Sequence, residues 1–420
     1  MPDLSASTIA SASPDETIRG YARHVPLYRA AASAADHAPA AQVLQLLPYI
    51  TKREIKDGFP TAFLRAGQSL DELVAQNRVE IEHTAGTTDA RADLLLERGW
   101  WARQEAWALA LNDRVAQVLQ ANPGAHRVTI SSPACNGDIS FANGTPSVRR
   151  RTLGNTRVLS LSRFPFLLGT ADLDQMLEEA LDWDPVFLDT DPAYAVVFAL
   201  HCERRKARLP KLQFVFTSYE YTSVLHRRIL ERAFGVPAYN LYGSTETGHL
   251  LMERTDGRMV ASPNVALLDV INEDDRGVGE LVVSTLTNDY MPLLNYRIGD
   301  LVQRGTDANG PGGVSYVLHG RAPDALPGPG GRRITTRDID QCFVGAEGIQ
   351  HYRLQQTGPE EFVLSYIPEA EEDPVGVVRT VVEKLRQVIP SARRIESRRV
   401  RHLLPEPSGK FVLTYPLERR

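Results

Sequence analysis

Between Arg127 and about Gln303 the chain alternates short β-rich runs with helical ones, and this alternation constrains the fold more than any other feature. "RVTISS", "TRVLSL", "PVFLDT" and "LQFVFTS" read as strands. "DLDQMLEEAL", "PAYAVVFALHCERRKAR" and "SVLHRRILERAF" read as helices between and after them. Strands separated by helices need crossover connections, and crossovers build a parallel sheet covered by helices. "VALLDVINEDDRGVGELVVSTLTN" adds two strands around a polar turn at Asp274 to Gly277. The predicted class is α/β, with mixed and parallel sheets, crossover helices and a β-barrel-like part.

At 420 residues the chain exceeds what one hydrophobic core supports, so at least two domains are expected. Near Gly320 the character changes: "HGRAPDALPGPGGRRITTRDID" is dense in Gly and Pro, as in a hinge. Beyond it Val375, Val378, Val381, Val382, Leu385, Val388 and Ile389 fall on one helical face, flanked by strand candidates "EFVLSYI" and "RIESRRV". These features predict an amino-terminal domain over 1–320 and a small α+β carboxyl-terminal domain over 321–420. The first eighty residues read as helical, broken by Pro26, Pro48 and Pro60. "VEIEHTAGTTDARAD" reads as a strand and a Gly/Thr loop, and "LLLERGWWARQEAWALALNDRVAQVLQ" as one long helical segment. A net charge of −5 gives no general attraction to nucleic acid or anionic membrane. Cys135, Cys202 and Cys342 form no metal spacing and no disulfide framework, which fits a reducing cytoplasm. The amino terminus lacks the pattern of a signal peptide, and no apolar run is long enough to span a membrane.

Sites in such proteins gather in loops at the carboxyl ends of strands, and four polar loops fit that place. "HTAGTTDAR" offers the backbone N–H groups and hydroxyls of Thr84, Gly86, Thr87 and Thr88 to a phosphate, aided by a helix amino terminus; a plain turn is the alternative. In "YNLYGSTETGHLL", Tyr242 can cover a base ring, Thr245 can donate to a phosphoryl oxygen and Glu246 can hold Mg²⁺; a strand end followed by a helix cap is the alternative. In "NYRIGDLV", Asp300 can accept from a ribose diol or simply serve a turn. In "SGKF", Lys410 can reach another domain's site or remain a solvated lysine.

The order of these signals resembles the adenylate-forming superfamily of acyl-CoA synthetases and peptide-synthetase adenylation domains. It runs Gly/Thr loop, "YGSTE", "YRIGDL", "GRAPD", then Gly-Lys near the end. "LPYITKREIKDGFP", "VPLYR", "RRILERAFGVPAYNLYGSTETG" and "GVGELVVSTLTN" resemble the phenylacetate–CoA ligase group in particular, over about residues 20 to 415. The resemblance implies a large amino-terminal domain and a rotating lid with Asp324 as pivot. It implies ATP, Mg²⁺ and CoA as cofactors. Tyr242, with Gly243 and Ser244, would flank adenine, Thr245 would touch the α-phosphate or acyl carboxylate, and Glu246 would bind Mg²⁺. Asp300 and Arg321 would hold the ribose. Ser218 and Glu220 would line the nucleotide, and Lys410 would reach the α-phosphate and the attacking carboxylate. The implied reaction activates a carboxylic acid, aromatic by the subgroup likeness, and passes it to a thiol such as CoA. The alternatives are a carrier-protein thiol or other acceptor in secondary metabolism, and a near-inactive homologue that binds ligand without turnover. The partners are then a small carboxylic acid, ATP and the thiol, with neither nucleic acid nor membrane; dimers are common in such enzymes.

Departures accompany the likeness. Asp89 stands where the phosphate loop usually has a second Gly, and Tyr219 stands where backbone usually lies against adenine. Asp89 either points away or weakens ATP use. Tyr219 swings aside, stacks on a ring or fills the pocket. Trp100, Trp101 and Trp107 read as core, with a substrate wall as the alternative. "SARRIESRRVRHLL" reads as a solvated strand edge rather than a docking site for a CoA phosphate. His249 reads equally as site or structure.

Overall fold

The computed structural model describes residues 13–34, 38–84, 91–133, 139, 145–159 and 162–419. Its contacts form two compact units. One joins residues 118–240 with 318–420; the other joins 2–117 with 241–317.

The early helices follow from caps written in the sequence. In α1 (Pro14–His24), Ser13 and Glu16 form a capping box with Pro14 in the first turn. In α2 (Lys52–Gly58), Thr51 and Glu54 do the same. The stretch just before α2 is stitched in: the Ile50 N–H donates to the Asn295 carbonyl (3.1 Å) and the Arg297 N–H to the Ile50 carbonyl (2.9 Å). Ile18 and Tyr21 on the inner face of α1 cluster with Val25, Tyr28, Val43 and Leu294, and α2 buries Ile55.

The long helix expected over 94–120 is not continuous. "DLLLE" is strand β2 (Asp93–Glu97), antiparallel to β1 (Val79–His83), and α3 (Trp100–Leu109) starts only after Gly99, whose φ is +73°. Leu94, Leu95 and Leu96 are apolar at every position, so their spacing fits either period, and pairing with β1 decides it. Residues 85–90 therefore connect two strands, and no helix amino terminus follows the Gly/Thr loop. Trp100 is buried, as a core reading requires, whereas Trp101 is 38% exposed and packs against His249.

The alternation that opened the sequence reading is realised in residues 118–240. Strands β3 (Arg127–Ile130), β4 (Thr156–Val158), β5 (Phe187–Thr190), β6 (Phe214–Thr217) and the start of β7 (Ala238–Ser244) lie parallel in the order β4–β3–β5–β6–β7. Helices α4 (Thr170–Trp183), α5 (Pro192–Arg205) and α6 (Val224–Phe234) supply the crossovers. Helix α5 is buried from Pro192 to Cys202, which explains its near-continuous apolar run.

Residues 241–317 form antiparallel strands: β8 (Gly248–Glu253), β9 (Ala266–Ile271), β10 (Val278–Thr285), β11 (Tyr296–Thr306) and β12 (Val314–Arg321). Their order is β9–β10–β11–β12, then Met259–Ala261, β8 and β7. The predicted turn between β9 and β10 is present. Asp274 accepts from the Arg276 and Val278 N–H groups, and Gly277 takes φ +76°.

The Gly/Pro stretch after Gly320 folds as a narrow ribbon, Leu326–Pro327 paired with Arg333–Ile334. Beyond it, β13 (Ile349–Gly358), β14 (Glu361–Pro368), α7 (Val375–Val388) and β15 (Arg394–Arg399) build a sheet ordered β15–β14–β13–Thr414–Tyr415. Val378, Val381, Val382, Leu385 and Ile389 bury the predicted face of α7; Val375, at its first turn, is exposed. The basic run is the exposed edge strand β15, where Glu396 pairs Arg394 and Arg398. Among the described residues no helix is long and apolar enough to cross a membrane.

Candidate active site

The "YGSTE" stretch is a β-hairpin corner, which removes the helix-cap alternative. Ser244 pairs with Gly248 and Gly243 with His249, after a bulge between Tyr242 and Gly243. The Ser244 and Thr247 hydroxyls lie 3.0 Å apart across the corner. Gly243 is required by space: a Cβ there would lie 2.2 Å from the Gly248 carbonyl oxygen. Thr245 is half-buried at the tip and Glu246 is buried behind it.

Two candidates far apart in sequence meet. The Tyr242 hydroxyl donates to Asp300 Oδ2 at 2.6 Å. Asp300 stands on β11 just after Gly299, which takes φ +85° where the β10–β11 register slips. A phenol and a carboxylate joined in this way present one aromatic face and further acceptor lone pairs, a chemistry suited to a base and a sugar diol.

Glu246 is a buried and paired carboxylate of this unit. Lys52 Nζ lies 3.1 Å from its Oε1, and the Tyr296 hydroxyl donates to the same oxygen at 3.2 Å. Burial pushes the Glu246 carboxyl up, but the Lys52 charge, the backbone and hydrogen bonds from Lys52 and Ser244 outweigh it. It therefore lies below the ordinary value. Lys52 was not singled out from the sequence, although it sits in the "LPYITKREIKDGFP" segment that carried the resemblance. The carboxylate expected to hold Mg²⁺ thus already serves three side chains. Among the described residues no group of three His, Cys, Asp or Glu could hold a metal. The residues present do not fit a resident Mg²⁺ while Lys52 keeps this position.

Thr84 is buried at the end of β1, where its hydroxyl accepts from the Ala92 N–H at 2.9 Å and closes the neck of the loop. Gly86, Thr87, Thr88 and Asp89 lie outside the described residues.

In the other unit, Ser218, Tyr219 and Glu220 follow β6. Tyr219 takes φ +72°, a left-handed conformation that costs a non-glycine residue about 1–2 kcal/mol. This conformation explains why glycine is the expected residue there. The Tyr219 hydroxyl donates to Asp189 Oδ2 at 3.2 Å, beside the Arg127 guanidinium at 2.7 Å from the same carboxylate. Of the alternatives, the side chain is thus turned to Asp189.

Glu220 accepts from the Ala193 N–H at 3.2 Å and the Phe411 N–H at 2.5 Å, the latter one residue past Lys410. Asp191 caps α5 by accepting from the same Ala193 N–H. Desolvation lifts Glu220 to about 7 against the hydrogen bonds from Asp191, Phe411 and Ala193 and the Lys410 charge. The loop bearing Lys410 is closed on itself: Glu406 N–H donates to the Lys410 carbonyl, and Gly409 takes φ +86°. The Tyr194 hydroxyl reaches the Gly409 carbonyl at 3.4 Å. Lys410 is half-buried, Arg321 exposed and Asp324 buried.

The same unit holds buried polar groups that sequence reasoning did not find. Asp340 accepts from the Val224 N–H (3.0 Å) and the Tyr352 hydroxyl (3.1 Å) and lies 3.5 Å from the Tyr221 hydroxyl; burial raises it to about 7. His226 and His351 stack with facing nitrogens 2.9 Å apart, and burial pushes both well down, His226 to about 3. Arg228 binds the Ala346 and Ile349 carbonyls and Glu369. A single sequence gives no signal for such pairs, since each partner alone reads as a surface residue.

A scan against protein-family models finds no match, and a search of curated proteins finds none. Solved structures do match. A 2-hydroxyisobutyryl-CoA ligase in the postadenylation state, in complex with 2-HIB-AMP, aligns at 15% identity over 96% of this chain and 89% of its own, with a TM-score of 0.68. An anthranilate CoA ligase in complex with anthranoyl-AMP aligns at 15% identity over 89% and 73%, with a TM-score of 0.58. An ATP-bound RpMatB–BxBclM chimera aligns at 14% identity over 79% and 65%, with a TM-score of 0.51. The chain therefore has the fold of the adenylate-forming enzymes.

Proposed function

We propose that this chain activates a carboxylic acid with ATP as an acyl-adenylate and transfers the acyl group to a thiol, CoA. The observation that carries the reading is the 2.6 Å hydrogen bond between Tyr242 and Asp300. It brings together two residues, 58 positions apart, that the resemblance assigns to adenine and ribose. The resemblance assigns Glu246, Ser244 and Thr245 on the adjoining corner to the phosphates, and Ser218, Glu220 and Arg321 to the nucleotide.

In the first half-reaction an oxygen of the substrate carboxylate bonds to the α-phosphorus, and the bond from that phosphorus to the β-bridging oxygen breaks, releasing pyrophosphate. Two anions approach, so fixed positive charge and hydroxyl donors lower the barrier. Lys410 supplies an ammonium and Thr245 a hydroxyl. In the second half-reaction a thiolate attacks the acyl carbon and AMP leaves. We assign residues 321–420 as the lid that turns at Asp324. This assignment rests on the resemblance; Phe343, Ile349, Leu354, Leu364, Val381 and Leu385 of the segment cluster together with Leu225 of α6. An aromatic acid and the phenylacetate–CoA ligase group rest on the sequence resemblance, as does a homodimer; a carrier-protein thiol is the alternative acceptor. The left-handed Tyr219 favours a second reading, a homologue that binds nucleotide with little turnover.

Pyrophosphate exchange across a panel of aryl and short aliphatic acids tests the reading. Exchange is expected with at least one acid and is expected to fall about a hundredfold or more in Lys410→Ala. Exchange unchanged in Lys410→Ala removes that role. Exchange absent with every acid while ATP binds supports the second reading. Consumption of free CoA separates CoA from a carrier protein.

A further inference from the structure

The Lys52–Glu246 pair is unusual in three respects. Lys52 is the first residue of α2, where the positive end of the helix dipole disfavours a cation by about 0.3–1 kcal/mol. Its position is nevertheless fixed. Thr51 caps the helix, and Ile50 is hydrogen-bonded on both sides to β11 and the residue before it, next to Tyr296. The ammonium is also the exposed partner, its side chain 32% accessible against 9% for Glu246. An ammonium carries three donors, and Glu246 takes one of them. The pair offsets the burial of Glu246, and the more exposed ammonium keeps two further donors for a ligand.

We propose that Lys52 is a nucleotide-phosphate ligand, a tethered cation that occupies Glu246 in place of Mg²⁺ and lets the site take a nucleoside triphosphate without a divalent ion. This rests on the nucleotide reading above. Glu246 then acts as a positioning residue: it fixes the ammonium beside the Ser244–Thr245 corner, and the remaining donors meet phosphate oxygens. Tyr296 donates to the same Glu246 oxygen. The site is selective for polyanions that accept from a point charge and hydroxyls, which is triphosphate or pyrophosphate chemistry.

Calorimetric titration of the full chain with ATP, in excess EDTA and separately in Mg²⁺, tests this on the wild type without any variant. The expected Kd in EDTA lies within about tenfold of that in Mg²⁺. Lys52→Met is expected to weaken metal-free ATP at least tenfold, and Lys52→Arg to restore most of it, Arg keeping the charge. A second measurement needs no nucleotide. Mn²⁺ titrated into the free protein and followed by electron paramagnetic resonance should show no tight site in wild type, where Lys52 holds Glu246. Thermal melts confirm that the variants fold. ATP binding by wild type only with Mg²⁺, metal-free affinity unchanged in Lys52→Met, or a Mn²⁺ site already present in wild type each overturns the proposal. Failure of wild type to bind either ATP or AMP in any condition overturns the nucleotide reading itself, and this inference with it.

Discussion

Replacing Asp340 by Asn should remove a loss of stability that its unit suffers as the pH rises. Asp340 is 1% exposed and is raised from 3.8 to about 7, with burial outweighing the hydrogen bonds from Val224 and Tyr352. A rise of that size disfavours the charged form in the fold by about 4 kcal/mol. The sign follows from linkage: the folded pKa is above the unfolded one, so the stability is fully present below about pH 4 and is lost as the pH climbs to 7. The loss is at most about 1.4 kcal/mol per pH unit. His226 and His351 act oppositely, being held neutral, so their contribution is lost as the pH falls below the ordinary histidine range. Comparison with an isosteric variant cancels them. Asparagine can still accept from the Val224 N–H through its one oxygen, with its amide nitrogen donating to the Tyr352 hydroxyl oxygen, and it carries no charge. Urea midpoints of wild type and Asp340→Asn from pH 4.5 to 8.5 should therefore converge near the acid end. At pH 8 the variant should be equal or better, with a gap that widens by roughly 2–3 kcal/mol across the range. Parallel curves would refute the argument, because they would mean that Asp340 stays charged at no cost.

Gly243→Ala should destabilise by roughly 3 kcal/mol or prevent folding, because its Cβ meets backbone rather than a side chain that could move; a urea melt reads this directly. Tyr219→Phe loses a hydrogen bond to a carboxylate and should cost about 1.5 kcal/mol. Tyr219→Gly loses the same bond but relieves the left-handed strain, so its urea midpoint should be no lower than that of the Phe variant. A much lower midpoint would show that the ring, not the backbone, dominates there.

Periodicity made the parallel strands, their crossover helices and α7 legible, because each has one buried face or none exposed. It failed at Leu94–Leu96, where three leucines in a row carry no period and a partner strand made the choice. The hairpin at Tyr242–His249 was read as either a site or a helix cap, because Ser-Thr-Glu suits both; only the close approach at Gly243 separates them. Asp300 and Tyr242 were both named, but their hydrogen bond is a product of register and could not be read from spacing. Asp191 followed a strand and preceded a proline, a legible cap signal, yet its link to Glu220 is tertiary. Lys52 was hidden for the same reason: a lysine in a short surface helix looks solvated until the carboxylate beside it is known.

The stitching of Ile50 to Asn295 and Arg297 has a practical consequence for anyone trimming this chain. The first sixty residues deliver the counter-charge of a carboxylate nearly two hundred positions downstream. A shortened protein starting after Pro60 would leave Glu246 enclosed without its ammonium, a defect that typically costs 3–5 kcal/mol. It would also strip a line of backbone bonds from β11. Such a truncation deletes part of the candidate site.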